Sequence, residues 1–339
     1  MKVATIGSGM IVEKFIESAL KTKHIQPVAV YSRSMEKGRA FGGKFGISRV
    51  YDCLETLFKD EEIECVYIAS PNSLHFRQAR AALLAGKHVI CEKPFTTTLK
   101  EAKMLSDLAR SRGLFLLEAI TTTYSPNLEA IRECLPQIGR IRLVMSNFSQ
   151  YSSRYDLFLN GEIPNVFNPA YSGGALMDIN VYNMYLVMAL FGAPLSVHYF
   201  PNLTPVPNPA FASEIDTSGI LVMKYQDFVC QCTGAKDTCG ENFFQIEGEQ
   251  GWIYVPGSPN ALEQVQVVIR SSGQVRTMNR QPDGHQWYYE LLGLSELLGK
   301  NDLDECYRRL DLTLQVMEVL EDARTKAGII FPADQEAIH

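Results

Sequence analysis

The chain is short of most features that would mark it for a special environment. It has no excess of positive charge: 32 Lys and Arg stand against 38 Asp and Glu, a net charge of -6. No basic field is therefore available to gather a polyanion, and nucleic-acid binding is not expected. Cysteine is sparse, with eight in 339 residues, at positions 53, 65, 91, 134, 230, 232, 239 and 306. Cys230 and Cys232 share one face of an expected strand and Cys239 follows closely, but paired C-x2-C ligands and a nearby histidine are missing. No metal site is expected, and the cysteines read as reduced thiols of a cytoplasmic protein. Uninterrupted apolar runs are missing as well. The longest, Ala175 to Val197, is broken by Asp178, Asn180, Asn183, Gly192 and Pro194. A spanning helix needs about 20 nearly uninterrupted apolar residues, so no membrane insertion is expected. Val3-Ala4-Thr5-Ile6 follow Met1-Lys2 without an apolar signal region, and no secretory leader is expected. Internal repeats and low-complexity segments are absent too. What is present is ordinary globular material, 46% hydrophobic and 21% charged, long enough for two domains.

Over the first 118 residues short apolar strands alternate with amphipathic helices. Strand-like runs lie at Val3–Ile6, Pro27–Tyr31, Cys65–Ala69, His88–Cys91 and Leu114–Leu117, with a weaker one at Arg49–Tyr51. Helical stretches lie at Val12–Lys23, Met35–Phe45, Leu54–Lys59, His75–Ala85 and Leu99–Arg112. This alternation predicts parallel pairing with right-handed crossovers, a doubly wound α/β sheet of six strands. After residue 120 the pattern changes. Helices are expected at Asn127–Cys134 and Ala175–Phe191. Strands are expected at Ile141–Phe148, Ser196–Phe200, Gly219–Tyr225, Phe228–Cys232, Phe243–Glu247, Trp252–Val255 and Val265–Ile269, and helices return at His285–Leu298 and Leu303–Lys326. Successive strands predict an open, mostly antiparallel sheet in an α+β domain. The expected domains are 1–120 and 121–339.

Gly7-Ser8-Gly9-Met10-Ile11-Val12 joins the first strand to the first helix. Gly7 permits the tight turn and Gly9 lets backbone approach a pyrophosphate at the helix N-terminus. Val12 stands where the dinucleotide fingerprint prefers Gly or Ala. Two glycines in such a turn also serve a purely steric role, but the flanking strand and helix favour dinucleotide binding. At the end of the second strand, where an NAD-binding chain offers Asp or Glu, this one offers Tyr31-Ser32-Arg33-Ser34, with Lys37 close behind. Arg33 is suited to stack on adenine or to fork onto a 2′-phosphate, and Ser32, Ser34 and Lys37 add donors. NADP is thus expected ahead of NAD.

Three further segments carry a family resemblance. Cys91-Glu92-Lys93-Pro94 follows the fifth strand, Ala69-Ser70-Pro71-Asn72 follows the fourth, and Ala85-Gly86-Lys87-His88 lies between them. Together with Gly173-Gly174-Ala175-Leu176-Met177-Asp178-Ile179-Asn180-Val181-Tyr182, they resemble the Gfo/Idh/MocA oxidoreductases, named for glucose-fructose oxidoreductase and inositol dehydrogenase. The resemblance covers nearly the whole chain. It implies a Rossmann domain followed by an α/β domain with an open sheet often used for oligomerisation, and so a homodimer or homotetramer. It also implies hydride transfer between nicotinamide and a sugar, polyol or related alcohol/carbonyl pair. By match to the family motifs, Lys93 would be the catalytic lysine, and Asp178 and Tyr182 the acid and the His/Tyr position of the second domain. Glu92 and Pro94 would shape the loop near nicotinamide, with the Lys93-Pro94 bond often cis. Ser70, Pro71 and Asn72 would lie along the cofactor. His75 either joins them or opens the following helix.

The residue chemistry agrees independently. Oxidising an alcohol needs a hydride acceptor and a group that takes the hydroxyl proton, and the reverse needs a proton donor. A lysine at the carboxyl end of a parallel strand lies in the expected ligand crevice. Asp178 and Tyr182 are i,i+4 and share a face if the segment is helical. Tyrosine is neutral near pH 7, which favours a proton shared with Lys93 over histidine-like base chemistry. Two departures stand out. Thr123 precedes Tyr124-Ser125-Pro126 where the dihydrodiol dehydrogenase branch commonly has arginine, and Asn180 replaces the family glycine after Asp-Ile. The loop Tyr151–Tyr171, with Arg154 and Asp156, reads equally as a sugar-facing wall and as a surface loop with buried aromatic anchors. Two rival functions share the pattern: NAD-dependent glycoside cleavage and nicotinamide sensing by a non-catalytic regulator.

Overall fold

The computed structural model describes residues 1–282 and 284–335; residue 283 and residues 336–339, His339 among them, lie outside the described residues. The chain divides into two compact units, one of 1–119 with 287–314, the other of 120–286 with 315–339.

The first unit is a six-stranded sheet of β1 (Lys2–Ile6), β2 (Gln26–Tyr31), β3 (Arg49–Tyr51), β4 (Cys65–Ile68), β5 (His88–Glu92) and β6 (Leu116–Ala119). Its order is β3-β2-β1-β4-β5-β6 and every pairing is parallel. Because helices cover both faces, the central strands carry no polar alternation: Cys65–Ile68 and Leu116–Ala119 are buried throughout. The crossovers are α1 (Met10–Ala19), α2 (Met35–Gly43), α3 (Leu54–Lys59), α4 (His75–Leu84) and α5 (Leu99–Arg112). The stripe Val12, Phe15, Ile16 and Ala19 turns α1 onto the sheet. Thr98 and Glu101 start α5 with a capping box, and Gly113 ends it in the left-handed conformation.

Residues 287–314, expected within a second domain of 121–339, cluster with the first unit. The cause is local bonding. His24 N–H donates to Ser295 Oγ at 3.0 Å, Arg110 reaches Tyr307 O and Asp311, and the Cys306 thiol donates to Leu116 O.

The second unit is built on eight strands: β7 (Ile141–Ser149), β8 (Ser196–Pro205), β9 (Glu214–Lys224), β10 (Val229–Ala235), β11 (Phe243–Gly248), β12 (Gly251–Pro256), β13 (Val265–Ile269) and β14 (Gln274–Met278). Their order is β14-β13-β12-β11-β7-β10-β9-β8, antiparallel except for β7 with β10. Strand β14 has no counterpart in the sequence reading, since Gln274 to Thr277 are all exposed and show no apolar alternation. The other helices are α6 (Pro126–Cys134), α7 (Tyr155–Leu159), α8 (Val181–Phe191), α9 (Gln286–Lys300) and α10 (Leu303–Lys326). One sheet face is the core, with Val144, Leu221, Cys230, Cys232, Phe244, Ile246 and Ile253 buried. The segment Pro169–Phe191 is long and apolar enough to cross a membrane, yet 72% of its apolar window is buried inside the fold.

Candidate active site

Gly7 turns the chain out of β1 with φ +127°, and a Cβ there would stand 2.8 Å from Ala69 O, so only glycine fits. At Gly9 a Cβ would meet nothing within 4 Å. Gly9 also opens α1 without a side-chain cap, leaving backbone N–H groups facing open space beside exposed Met10 and half-buried Ile11. The loop lies at the carboxyl edge between β1 and β4, where the strand order reverses. An open cradle at a helix N-terminus and a switch point is what a dinucleotide pyrophosphate requires, and these residues fit one.

Around it stand the other cofactor candidates. Arg33 and Lys37 are exposed, while Ser32 and Ser34 are half-buried. Ser34 Oγ caps α2 by accepting from Lys37 N–H, and Ser32 Oγ accepts from Ser34 N–H at 3.4 Å. Half-buried Pro71 and Asn72 follow β4, and Ser70 Oγ donates to Gln78 Oε1 at 2.7 Å. His75 is placed beneath these loops rather than at their surface. Its ring nitrogens lie 3.0 Å from Pro94 O and 2.9 Å from Ser70 O, and burial lowers its pKa against the pull of those carbonyls. With 1% of its surface accessible, it braces the Ser70 and Pro94 loops and offers no edge to a dinucleotide.

Lys93 follows β5 at the carboxyl edge, half-buried, and the Lys93-Pro94 peptide is cis. Its N–H donates to Glu92 Oε2 at 3.2 Å, and Tyr67 OH, stacked on Phe15 at 3.7 Å, donates to Glu92 Oε1 at 2.6 Å. Beneath Glu92 lie two further buried carboxyls that the sequence reading does not single out, Glu118 on β6 and Glu290 on α9. Burial pushes Glu290 well above the usual carboxylate range, and the charges of Glu92 and Glu118 push it further.

In the second unit, Asp178 sits in a π-helical turn, Leu176–Asn180, that opens α8. Between residues 172 and 188, Asp178 and Tyr182 are the two side chains not fully buried, so the i,i+4 pair does share a face. Tyr182 packs on Phe148, Ala175 and Ile179, with its ring centroid 5.9 Å from that of Phe148. The Gly173-Gly174 pair has a steric origin. A Cβ on Gly173 would meet Val166 O at 2.6 Å, and one on Gly174, at φ +113°, would strike Asp216 Oδ1 at 2.0 Å. Asp216 approaches so closely because its Oδ2 accepts from Leu176 N–H at 2.7 Å and from Tyr199 OH at 2.9 Å. Burial pushes Asp216 up to about 7, against the lowering effect of those donors. Asn180, the departure from the family glycine, is fully buried and joins helix to sheet. Its Nδ2 donates to Cys232 O, and its Oδ1 accepts from Asn183 Nδ2.

Lys236, just past β10, forms an ion pair with Asp178 Oδ2 and lies 6.0 Å from the centroid of the buried Phe167 ring. Within the Tyr151–Tyr171 loop, Phe158 and Phe167 are buried anchors stacked at 5.1 Å, and Tyr151 OH donates to Asp156 Oδ1. No group of three or more metal-ligating side chains occurs among the described residues, and the eight cysteines are free thiols.

A parallel 3-2-1-4-5-6 sheet with an open phosphate cradle, joined to a unit that displays an acid and a tyrosine on one helical face, defines the class of nicotinamide-dinucleotide oxidoreductases. Residues 1–119 match the model of the oxidoreductase family with an NAD-binding Rossmann fold, and residues 135–254 match the GFO/IDH/MocA C-terminal domain. The chain belongs to the GFO/IDH/MocA oxidoreductase family. It is 33% identical over 335 residues to scyllo-inositol 2-dehydrogenase (NADP(+)) IolU of Bacillus subtilis, covering 99% of each chain. It is 28% identical to trans-1,2-dihydrobenzene-1,2-diol dehydrogenase of Mus musculus, covering 97% of this chain and 98% of the relative. In fold it is similar to KijD10, a 3-ketoreductase from Actinomadura kijaniata solved with NADP and TDP-benzene, with TM-score 0.82, 20% identity, and 96% and 97% of the two chains covered.

Proposed function

We propose that the protein is an NADP-preferring dehydrogenase or reductase of a sugar, polyol or related alcohol/carbonyl substrate. The observation that carries the reading is that Asp178 and Tyr182 are the accessible side chains of the otherwise buried stretch 172–188, because an acid and a phenol suit a hydroxyl or carbonyl oxygen. The cofactor, when bound, supplies the hydride acceptor or donor. Lys93 takes or returns the hydroxyl proton; Tyr182 offers its hydroxyl to the substrate oxygen, and Asp178 orients the substrate. Gly7, Gly9, Met10 and Ile11 hold the pyrophosphate. Ser32, Arg33, Ser34 and Lys37 hold the adenosine end, while Ser70, Pro71, Asn72 and Glu92 line the remainder, with His75 supporting them from below. Support for NADP comes from the missing carboxylate after β2, from exposed Arg33, and from the Bacillus subtilis relative whose name carries that cofactor.

Eight free thiols support a reducing, cytoplasmic location. The open outer face of the eight-stranded sheet supports a homodimer or homotetramer.

The test is an assay of sugars, inositols and vicinal diols with both cofactors, followed at the reduced-nicotinamide absorbance. Net, stoichiometric NADPH change with at least one polyol is expected. Lys93→Ala is expected to lower turnover by at least about 1000-fold while still binding NADPH. Turnover without net NADPH change, or a fully active Lys93→Ala variant, would overturn the reading.

A further inference from the structure

We propose that Lys236 is a specificity-determining residue which, together with Asp178, clamps two neighbouring hydroxyls of a vicinal diol and so favours polyols over simple alcohols. The inference rests on the oxidoreductase reading above. It begins from an ammonium group that is nearly buried, with 9% of its side chain accessible, and whose partner Asp178 keeps 30%. Burying an ammonium is costly unless its donors are used. One donor goes to Asp178 Oδ2, and the Phe167 ring lies 6.0 Å away. An ammonium has three N–H donors. Among the described residues no other acceptor takes one from Lys236 Nζ, so donor capacity remains beside the accessible carboxylate.

Both halves of the pair are held rigidly. Lys236 N–H donates to Thr217 O at 2.8 Å, and Lys236 O accepts from Ser152 N–H at 2.9 Å, which fixes the residue from both sides. The adjacent Asp237 does not compete for the ammonium, because its Oδ2 accepts from the hydroxyls of Thr217 and Ser218. Asp178 rides on the π-turn that Asp216 ties down at Leu176. A carboxylate and an ammonium in contact present one acceptor and one donor roughly a hydrogen-bond length apart, about 2.8 Å. Two gauche hydroxyls on adjacent carbons match that spacing, one donating to Asp178 while the other accepts from Lys236. A monoalcohol satisfies one half and leaves the other desolvated, which is the situation that produces strong discrimination.

The test compares kcat/KM for scyllo-inositol and for its analogue lacking one hydroxyl beside the reacting carbon, with NADP+, in wild type, Lys236→Met and Lys236→Arg. Wild type should prefer the full polyol by about 100-fold. Lys236→Met should cut that preference below about 5-fold, mainly through a raised KM for the polyol, and Lys236→Arg, which retains the cation, should recover at least about 10-fold of the loss. NADPH titration and a thermal melt establish that each variant is folded; should the Met variant not fold, Lys236→Gln carries the same comparison. A preference unchanged in Lys236→Met, or an equal loss on both substrates, would overturn the assignment and leave the oxidoreductase reading standing. Absence of wild-type turnover on every polyol of the panel would instead remove that reading and this inference with it.

Discussion

The proposed preference for NADP rests mainly on Arg33 at the residue scale. It is exposed at the end of β2, where the chain offers no carboxylate before Glu36, and Ser32, Ser34 and Lys37 surround it with further donors. A guanidinium forks onto a phosphate through paired, charge-assisted bonds, whereas the ribose hydroxyls of NAD call for an acceptor. Arg33→Ala should therefore weaken NADPH binding by about 10- to 100-fold and leave NADH within about 2-fold, as read by cofactor fluorescence titration. Equal losses for both cofactors would assign Arg33 to adenine stacking instead. Lys93, Asp178 and Tyr182 are candidates from the sequence because each sits in a short motif, and Arg33 is one because no carboxylate follows the second strand. Lys236 and Asp216 are not legible. Their partners stand 58 and 40 residues away, and only the pairing of β10 with β9 and β7 brings them to the turn that carries Asp178. Nothing in the run Gly234-Ala235-Lys236-Asp237 separates Lys236 from an ordinary loop lysine.

The π-turn at Leu176–Asn180 is the element that carries the candidate acid Asp178. A π-turn admits one extra residue per turn and is marginal by itself, so it persists where its surroundings hold it. Here Asp216 holds it by accepting from Leu176 N–H, while Gly174 leaves room for the carboxylate. The pKa of Asp216 is raised, from the ordinary 3.8 to about 7, chiefly by burial. A group with a raised folded-state pKa binds its proton more tightly in the folded protein. Its stabilising contribution is complete below the unfolded value and is lost as pH rises through about 7. Unfolding free energy measured in urea should accordingly decline between about pH 4 and 7 and level off above that, and Asp216→Asn should remove that component, on the order of 4 kcal/mol over the full range. An identical pH slope in the variant would show that Asp216 does not titrate there. Elements themselves are well marked in the sequence where one face is buried: α3, α5, β13 and α10 begin and end at the residues that the apolar pattern indicates. Where burial lacks a local pattern the sequence is silent. It misses β14, an exposed edge strand. Residues 287–314 show no local pattern that ties them to the first unit, because their contacts there depend on single side chains such as Ser295, Tyr307 and Cys306.

For the whole molecule, the decisive feature is a sheet covered on one face only. Along β7 to β12 the inward residues are buried, while the outward rows keep large apolar groups at the surface: Phe200 (63% exposed) opposite Ile220 (40%) on β8 and β9, and Leu143 (45%) in register through Glu247 with Trp252 (40%) on β7, β11 and β12. Lys224, Gln231 and Gln245 lie among them, a mixture typical of association surfaces rather than of a core left open. A second copy related by a two-fold axis would cover the same patch on both chains, and an eight-stranded face is broad enough to supply the roughly 800 Å² per partner that a stable interface needs. The wild-type protein should then sediment at no less than twice the 38.0 kDa of the chain at micromolar concentration. Phe200→Glu combined with Trp252→Glu should shift it to the monomer. Both side chains are substantially exposed, so the thermal midpoint of the separated monomer should fall only by the coupling energy of the interface, and cofactor binding by the first unit should persist. A monomeric wild type would leave the open face without a partner copy, and a double variant that remained oligomeric would move the interface off this sheet.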